Sequence, residues 1–87
     1  MTDGKGIGNG TDALGLDRLA EGRGAVVWRI ELDGGALRRL VELGFGEGAR
    51  IECVGTSPLG NPRAYYARGA VVAIRNEDAA RIRVLPL

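Results

Sequence analysis

The chain has 87 residues, of which 45% are hydrophobic and 26% are charged, and these proportions are typical of one small globular domain with a modest core. The net charge is only +1 at pH 7, so the sequence offers no strong positive field for a polyanion, and we expect no bulk nucleic-acid binding. A single cysteine excludes an internal disulfide, and no stretch reaches the roughly 18 to 20 apolar residues of a membrane span, so we expect a cytoplasmic protein without direct membrane insertion.

The first part of the chain is rich in glycine and poor in apolar side chains. Glycine stands at every second position from 4 to 10. Such a segment buries too little apolar surface to offset the entropy lost when its backbone is ordered. Residues 1–13 are therefore predicted to be a disordered tail, and residues 14–87 to be one domain that begins with a short apolar lead-in.

Residues 25–32 are predicted to form the first long strand. Apolar and charged side chains alternate along this segment, except that Val27 breaks the period and predicts a β-bulge. Trp28 has the apolar parity. We expect it, like Tyr65 further along the chain, to fill the core rather than to stack on a nucleic-acid base.

Residues 33–43 have the period of a helix. Leu37, Leu40 and Val41 are spaced i, i+3 and i+4, which indicates one apolar face. Asp33 is placed to accept hydrogen bonds from the first free amides, and Gly44 is placed to end the helix in the left-handed conformation. The sequence therefore predicts one short amphipathic helix.

The remaining strands are short and are separated by clear turn signals. Alternation predicts strands over residues 49–56, 63–68, 70–75 and 81–85. Residues 57–62 contain two prolines and are predicted to be a hairpin loop, and Asn76 is placed to cap a single helical turn. The result is a mostly β chain of about five strands with one short α-helix, and closing these strands into a small SH3-like β-barrel would remove the open edges.

Groups able to carry out catalysis are scarce. The chain contains no histidine, which is the commonest general base and metal ligand. Cys53 shares the apolar parity of its strand, so we expect it in the core, and Glu77 with Asp78 suits the start of a helix. We therefore expect no catalytic residue, no metal site and no cofactor, and we predict that the chain is not an enzyme.

Two motifs and their separation point to a family. The first motif is Arg39-Leu40-x-x-Leu43-Gly44-Phe45, and the second is Pro58-Leu59-Gly60-Asn61-Pro62 followed by Ala73-Ile74-Arg75. Together they resemble the FeoA family of bacterial ferrous iron transport. The resemblance implies an SH3-like barrel and a cytosolic accessory that binds the cytosolic domain of FeoB, a GTP-binding membrane transporter of ferrous iron. Arg63 departs from the family pattern, which has an apolar residue at this position.

We expect the candidate partner contacts to be exposed to solvent. They are Leu59, Asn61, Tyr66, Arg38 and Arg39. An apolar tip beside a basic rim would form a small anchor for a partner. The alternatives are that the loop merely shapes a hairpin and that the arginines form a solvated helix face. A general SH3-like adaptor, a weak single-strand nucleic-acid binder and self-association also stay open.

Overall fold

Six strands form one antiparallel sheet in the computed structural model, which describes residues 12–87. The strands are β1 (Leu14–Gly15), β2 (Gly24–Ile30), β3 (Arg50–Thr56), β4 (Arg63–Ala67), β5 (Ala70–Ile74) and β6 (Ile82–Pro86). The helices are α1 (Gly34–Glu42) and α2 (Asn76–Ala79), and a 3-10 turn covers Leu16–Arg18. The spatial order of the strands is β1-β6-β2-β3-β4-β5. Most of the predicted tail, residues 1–11, lies outside the described residues.

The predicted mostly β fold is confirmed, but the predicted five-stranded closed barrel is corrected in two respects. A sixth strand, β1, pairs Leu14 with Val84 of β6, and its two residues are too few to show any period in the sequence. The sheet is also open, because no ladder joins β1 to β5 within residues 12–87. One edge of the sheet is thus only two residues long, while the other is the full strand β5. No helix in this part of the chain is long and apolar enough to cross a membrane.

The core lies against the inward face of the sheet. Cys53 and Tyr65 are fully buried there, as their parities predict. The predicted bulge is present, since the register of β2 against β6 shifts between Val27 and Arg29. Val27 takes the inward position, and Trp28 is only half-buried and lies outside the cluster of buried core residues, so the prediction that Trp28 fills the core is wrong.

Both ends of α1 fall close to their predicted positions. Gly44 adopts φ +93°, and the main-chain N–H of Phe45 donates to the carbonyl of Leu40 at 2.8 Å, which is the expected left-handed helix end. Asp33 is the N-cap residue, but its side chain makes no capping hydrogen bond. The predicted side-chain cap is therefore absent, although the position of the helix start is right.

Arg63 ties the beginning of the domain to the sheet. Its guanidinium donates to the carbonyl of Asp17 at 2.5 Å and to that of Leu19 at 2.6 Å, and it lies 5.9 Å from the centre of the Tyr65 ring. A planar group with several donors can satisfy two carbonyls at once. The residue that departs from the family pattern thus fixes the segment that precedes β2.

Candidate protein-interaction surface

The loop between β3 and β4 presents a single apolar side chain to solvent. Leu59 is 94% exposed, the largest exposure among the big apolar residues of the described chain. The loop is closed by the N–H of Gly60, which donates to the carbonyl of Ser57 at 2.8 Å. A leucine held at the tip of a bonded loop has no role in the core, and this position suits a partner contact.

Asn61 anchors this loop to the start of α2. Its side-chain oxygen accepts a hydrogen bond from the main-chain N–H of Asn76 at 2.9 Å. The side-chain amide of Asn76 donates in turn to the carbonyl of Gly60 at 2.9 Å. The prediction that Asn76 caps the turn with its own side chain is wrong, because Arg75 is the N-cap residue and Asn61 supplies the acceptor from another part of the chain.

A groove of about 300 Å³ separates α1 from β5. It is lined by Leu32, Ala36, Arg39, Leu40, Leu43, Val72, Ala73, Ile74, Arg75 and Asp78. Arg39 therefore belongs to this groove, whereas Arg38 is exposed on α1 and does not line it. Seven of the ten lining residues are apolar, and the other three are two cations and one anion.

Tyr66 belongs to a different depression. It is 44% exposed, points outward from β4, and lies opposite Glu52 of β3 and Val71 of β5. A space of about 540 Å³ lies beside it and is also lined by Arg50 and Arg68. This side of the sheet combines one aromatic ring with charges of both signs.

The five predicted contact residues thus do not form one cluster. Asn61 bonds to the start of α2, where Asn76 directly follows Arg75, and Arg75 lines the same groove as Arg39. The loop that carries Leu59 and Asn61 is thus bonded to a residue that adjoins the groove. Tyr66 lies in the second depression, and Arg38 lies in neither.

Sequence reasoning missed the contribution of β5 to the groove. Residues 70–74 read Ala-Val-Val-Ala-Ile, which looks like an ordinary buried strand. Val72, Ala73 and Ile74 of this strand line the groove. Their place opposite α1 depends on β5 being the last strand of the sheet, which the local pattern does not reveal.

The described residues offer little chemistry beyond binding. In residues 12–87, no three or more acidic or cysteine side chains converge where they could hold a metal ion. Burial raises the pKa of Tyr65 to about 12, so its hydroxyl stays protonated at neutral pH and donates to the carbonyl of Leu16 at 3.3 Å. The features that remain are an exposed apolar tip and a groove.

Solved structures with the same fold include two from FeoA proteins. The FeoA protein of Chlorobium tepidum superposes with a TM-score of 0.81 at 30% identity, covering 85% of this chain and 70% of that one. The FeoA of Stenotrophomonas maltophilia, solved with zinc and described as an SH3 domain protein, gives a TM-score of 0.68 at 33% identity, covering 83% and 89%. The fold is therefore the SH3-like fold of these proteins, here with an open sheet.

A curated relative joins this kind of domain to a transporter. The Fe(2+) transport protein A/Fe(2+) transporter FeoB fusion protein of Porphyromonas gingivalis is 39% identical over 69 residues, which cover 79% of this chain. The chain spans only 8% of the length of that relative. A family model described as "FeoA domain" matches residues 14–86. With nearly all of the described residues matched in sequence and structure, the chain belongs to the FeoA family.

Proposed function

We propose that this chain is a cytoplasmic accessory protein of ferrous iron uptake that binds the cytosolic part of a FeoB-type GTP-binding transporter. The observation that carries the proposal is the relative in which a FeoA domain and FeoB form one polypeptide. A covalent link holds two domains at a high effective concentration, which is useful when they act on one another. The FeoA family is an accessory family associated with transport and not a known enzyme family, in agreement with the prediction of a non-catalytic chain.

The contact surface that we propose is the stretch from the exposed loop tip to the groove. Leu59 supplies an apolar side chain that a pocket on the partner would bury, and this burial favours binding by about 1.5 to 3 kcal/mol before the costs of association. Arg39 and Arg75 add two cations in the groove. Such an arrangement, an apolar anchor with a charged rim, is common in protein interfaces.

Calorimetric titration against the cytosolic domain of the transporter tests this proposal, with and without guanine nucleotide. We expect binding by the wild type and a loss of about tenfold or more in affinity for Leu59→Ser. Leu87→Ser is the matched control, because Leu87 is also exposed but bonds to Gly24 of β2 and does not line the groove. Absence of binding in every nucleotide state, together with normal iron uptake in a deletion strain, would contradict the proposal.

A second candidate function is weak binding of single-stranded nucleic acid beside Tyr66. The observation that favours it is an exposed aromatic ring with Arg50 and Arg68 in the same depression. Glu52 lies there as well and lowers the attraction for phosphate. Binding of a short oligonucleotide that weakens steeply as the salt concentration rises would support this function. Tyr66→Ala should remove this binding.

A further inference from the structure

Strand β5 is an edge strand whose own residues carry none of the usual protection. It is the last strand of the sheet, and its five residues include no charged residue and no proline. Its register against β4 is regular from Arg63–Ile74 to Ala67–Ala70, so no bulge turns it away. The opposite edge, β1, is protected by its length of two residues. Another chain can add as a further strand to an edge strand that is long, flat and apolar.

The hairpin turn fixes which groups of β5 are free. Arg68 and Gly69 have φ of +53° and +86° and connect Ala67 directly to Ala70, so these two alanines exchange hydrogen bonds with each other. Bonded and non-bonded pairs alternate along an antiparallel ladder. The N–H and C=O groups of Val71 and Ala73 therefore point away from β4. Among residues 12–87, none of the main-chain hydrogen bonds outside the sheet ladders involves these N–H and C=O groups.

The groove beside β5 runs between this strand and helix α1, and its lining favours one chemistry. Helix α1 forms the far wall of the groove, and Leu40 and Leu43 are among the apolar side chains that line it. At one end the stem of Arg68 packs against Gly44, just after α1, and brings the two walls together. Arg39 and Arg75 outnumber Asp78 in the lining, so the groove attracts negative charge.

We propose that β5 takes up an extended segment of the transporter's cytosolic part as a seventh strand, with alternate apolar residues toward the groove and a carboxylate near Arg39 and Arg75. This inference rests on the proposed function and gives it a binding mode. A second copy of this chain is a poorer occupant. Pairing two β5 strands through Val71 and Ala73 would set Arg75 of one copy opposite Gly69 of the other, next to its Arg68, where like charges repel.

The test places proline at position 71, where the main-chain N–H is not needed for the hydrogen bonds between β5 and β4. Val71→Pro removes one outward N–H and leaves the bonds to β4 intact, and proline is tolerated at such edge positions. We expect Val71→Pro to weaken binding of the transporter's cytosolic domain about tenfold or more in calorimetry. Val71→Thr keeps both the donor and the β-branched shape, and we expect it to bind within about twofold of the wild type.

Hydrogen exchange on the wild-type chain gives a readout that does not depend on a variant's folding. We expect the amides of Val71 and Ala73 to gain protection when the cytosolic domain binds. Unchanged exchange at both amides, or full affinity of a folded Val71→Pro, overturns the strand addition while the proposed function stands. A wild type that fails to bind overturns both. A dimer that Val71→Pro dissociates would make a second copy the occupant and overturn the partner that we assign.

Discussion

The side-chain oxygen of Asn61 accepts a hydrogen bond from the main-chain N–H of Asn76 at 2.9 Å, across fifteen positions of the chain. The side-chain amide of Asn76 returns a bond to the carbonyl of Gly60, so the contact works in both directions. The first turn of α2 and the loop that carries Leu59 are thus held by the same two side chains. The loop that presents the exposed leucine is therefore fixed in part by its bonds to the helix that follows β5.

Replacing Asn61 with alanine removes the acceptor for the first amide of α2. We expect Asn61→Ala to lower the free energy of unfolding by about 1 kcal/mol, as the loss of a helix cap does elsewhere. Asn61→Asp keeps an acceptor at the same place and adds a favourable charge near the helix start, so it should remain close to the wild type. Urea denaturation of the three proteins measures the difference, and equal stabilities for Asn61→Ala and the wild type would contradict it.

Gly44 meets the stem of Arg68 so closely that a side chain has no room. A Cβ at position 44 would lie 2.7 Å from Cδ of Arg68, and φ at this position is +93°. We expect Gly44→Ala to lower the free energy of unfolding by about 2 to 3 kcal/mol, combining the left-handed strain with overpacking.

Gly48 provides the matched control for that substitution. Its φ is +86°, and a Cβ there would meet no atom within 4 Å, so Gly48→Ala should show the strain alone, about 1 to 2 kcal/mol. Adding Arg68→Ala to Gly44→Ala should recover most of the overpacking part, because it removes Cγ and Cδ of Arg68 and leaves only Cβ, 3.1 Å away. Equal losses at positions 44 and 48, measured by thermal and urea unfolding, would show that the contact with Arg68 is not responsible.

Local patterns predicted most of the elements because alternation and helical period are properties of neighbouring residues. Strand β3 was expected over residues 49–56 and covers Arg50–Thr56, and the helix expected over 33–43 covers Gly34–Glu42. The pattern failed where an element depends on distant pairing. Strand β1 has two residues and exists because β6 pairs with it, and the open edge at β5 follows from the order of all six strands.

The surface shows the same difference between features set by neighbouring residues and features set by distant contacts. The exposure of Leu59 could be predicted, because prolines and glycine around it exclude a regular ladder. The bonds that hold the loop could not, since Asn61 and Asn76 are far apart in sequence. Arg63 was recognisable only as an unusual residue in its motif, and its role became visible with the carbonyls of Asp17 and Leu19 beside it, more than forty positions earlier.

Tyr65 predicts a loss of stability in alkaline solution. Its pKa is about 12 in the folded chain against 10.0 when exposed, so folding favours the protonated form. The unfolded chain then binds fewer protons than the folded one between these values. The stabilisation is therefore fully present below pH 10 and is lost as the pH rises from 10 to about 12, with a slope of at most about 1.4 kcal/mol per pH unit.

The substitution Tyr65→Phe isolates this effect. At neutral pH it should cost about 1 kcal/mol or less, through the single hydrogen bond to the carbonyl of Leu16. Above pH 10 the free energy of unfolding of the wild type should fall more steeply than that of Tyr65→Phe. Urea denaturation between pH 8 and 11.5, a range that spans about the lower three quarters of this transition, checks the two slopes. Parallel curves would show that Tyr65 does not titrate with folding.

Arg38 and Arg39 form a matched pair for testing which surface of α1 meets the partner. Both are exposed and adjacent in sequence, but only Arg39 lines the groove beside β5. We expect Arg39→Ala to weaken binding of the transporter's cytosolic domain by about three- to tenfold at low salt, and Arg38→Ala by less than about twofold.

The difference should shrink as the salt concentration rises, because exposed charges are screened over about 10 Å at 0.1 M. Titrations at two salt concentrations measure both effects. Equal losses for the two variants would mean that the partner senses the total charge of α1 and does not enter the groove. A larger loss for Arg38→Ala would place the interface on the face of the helix that carries Arg38.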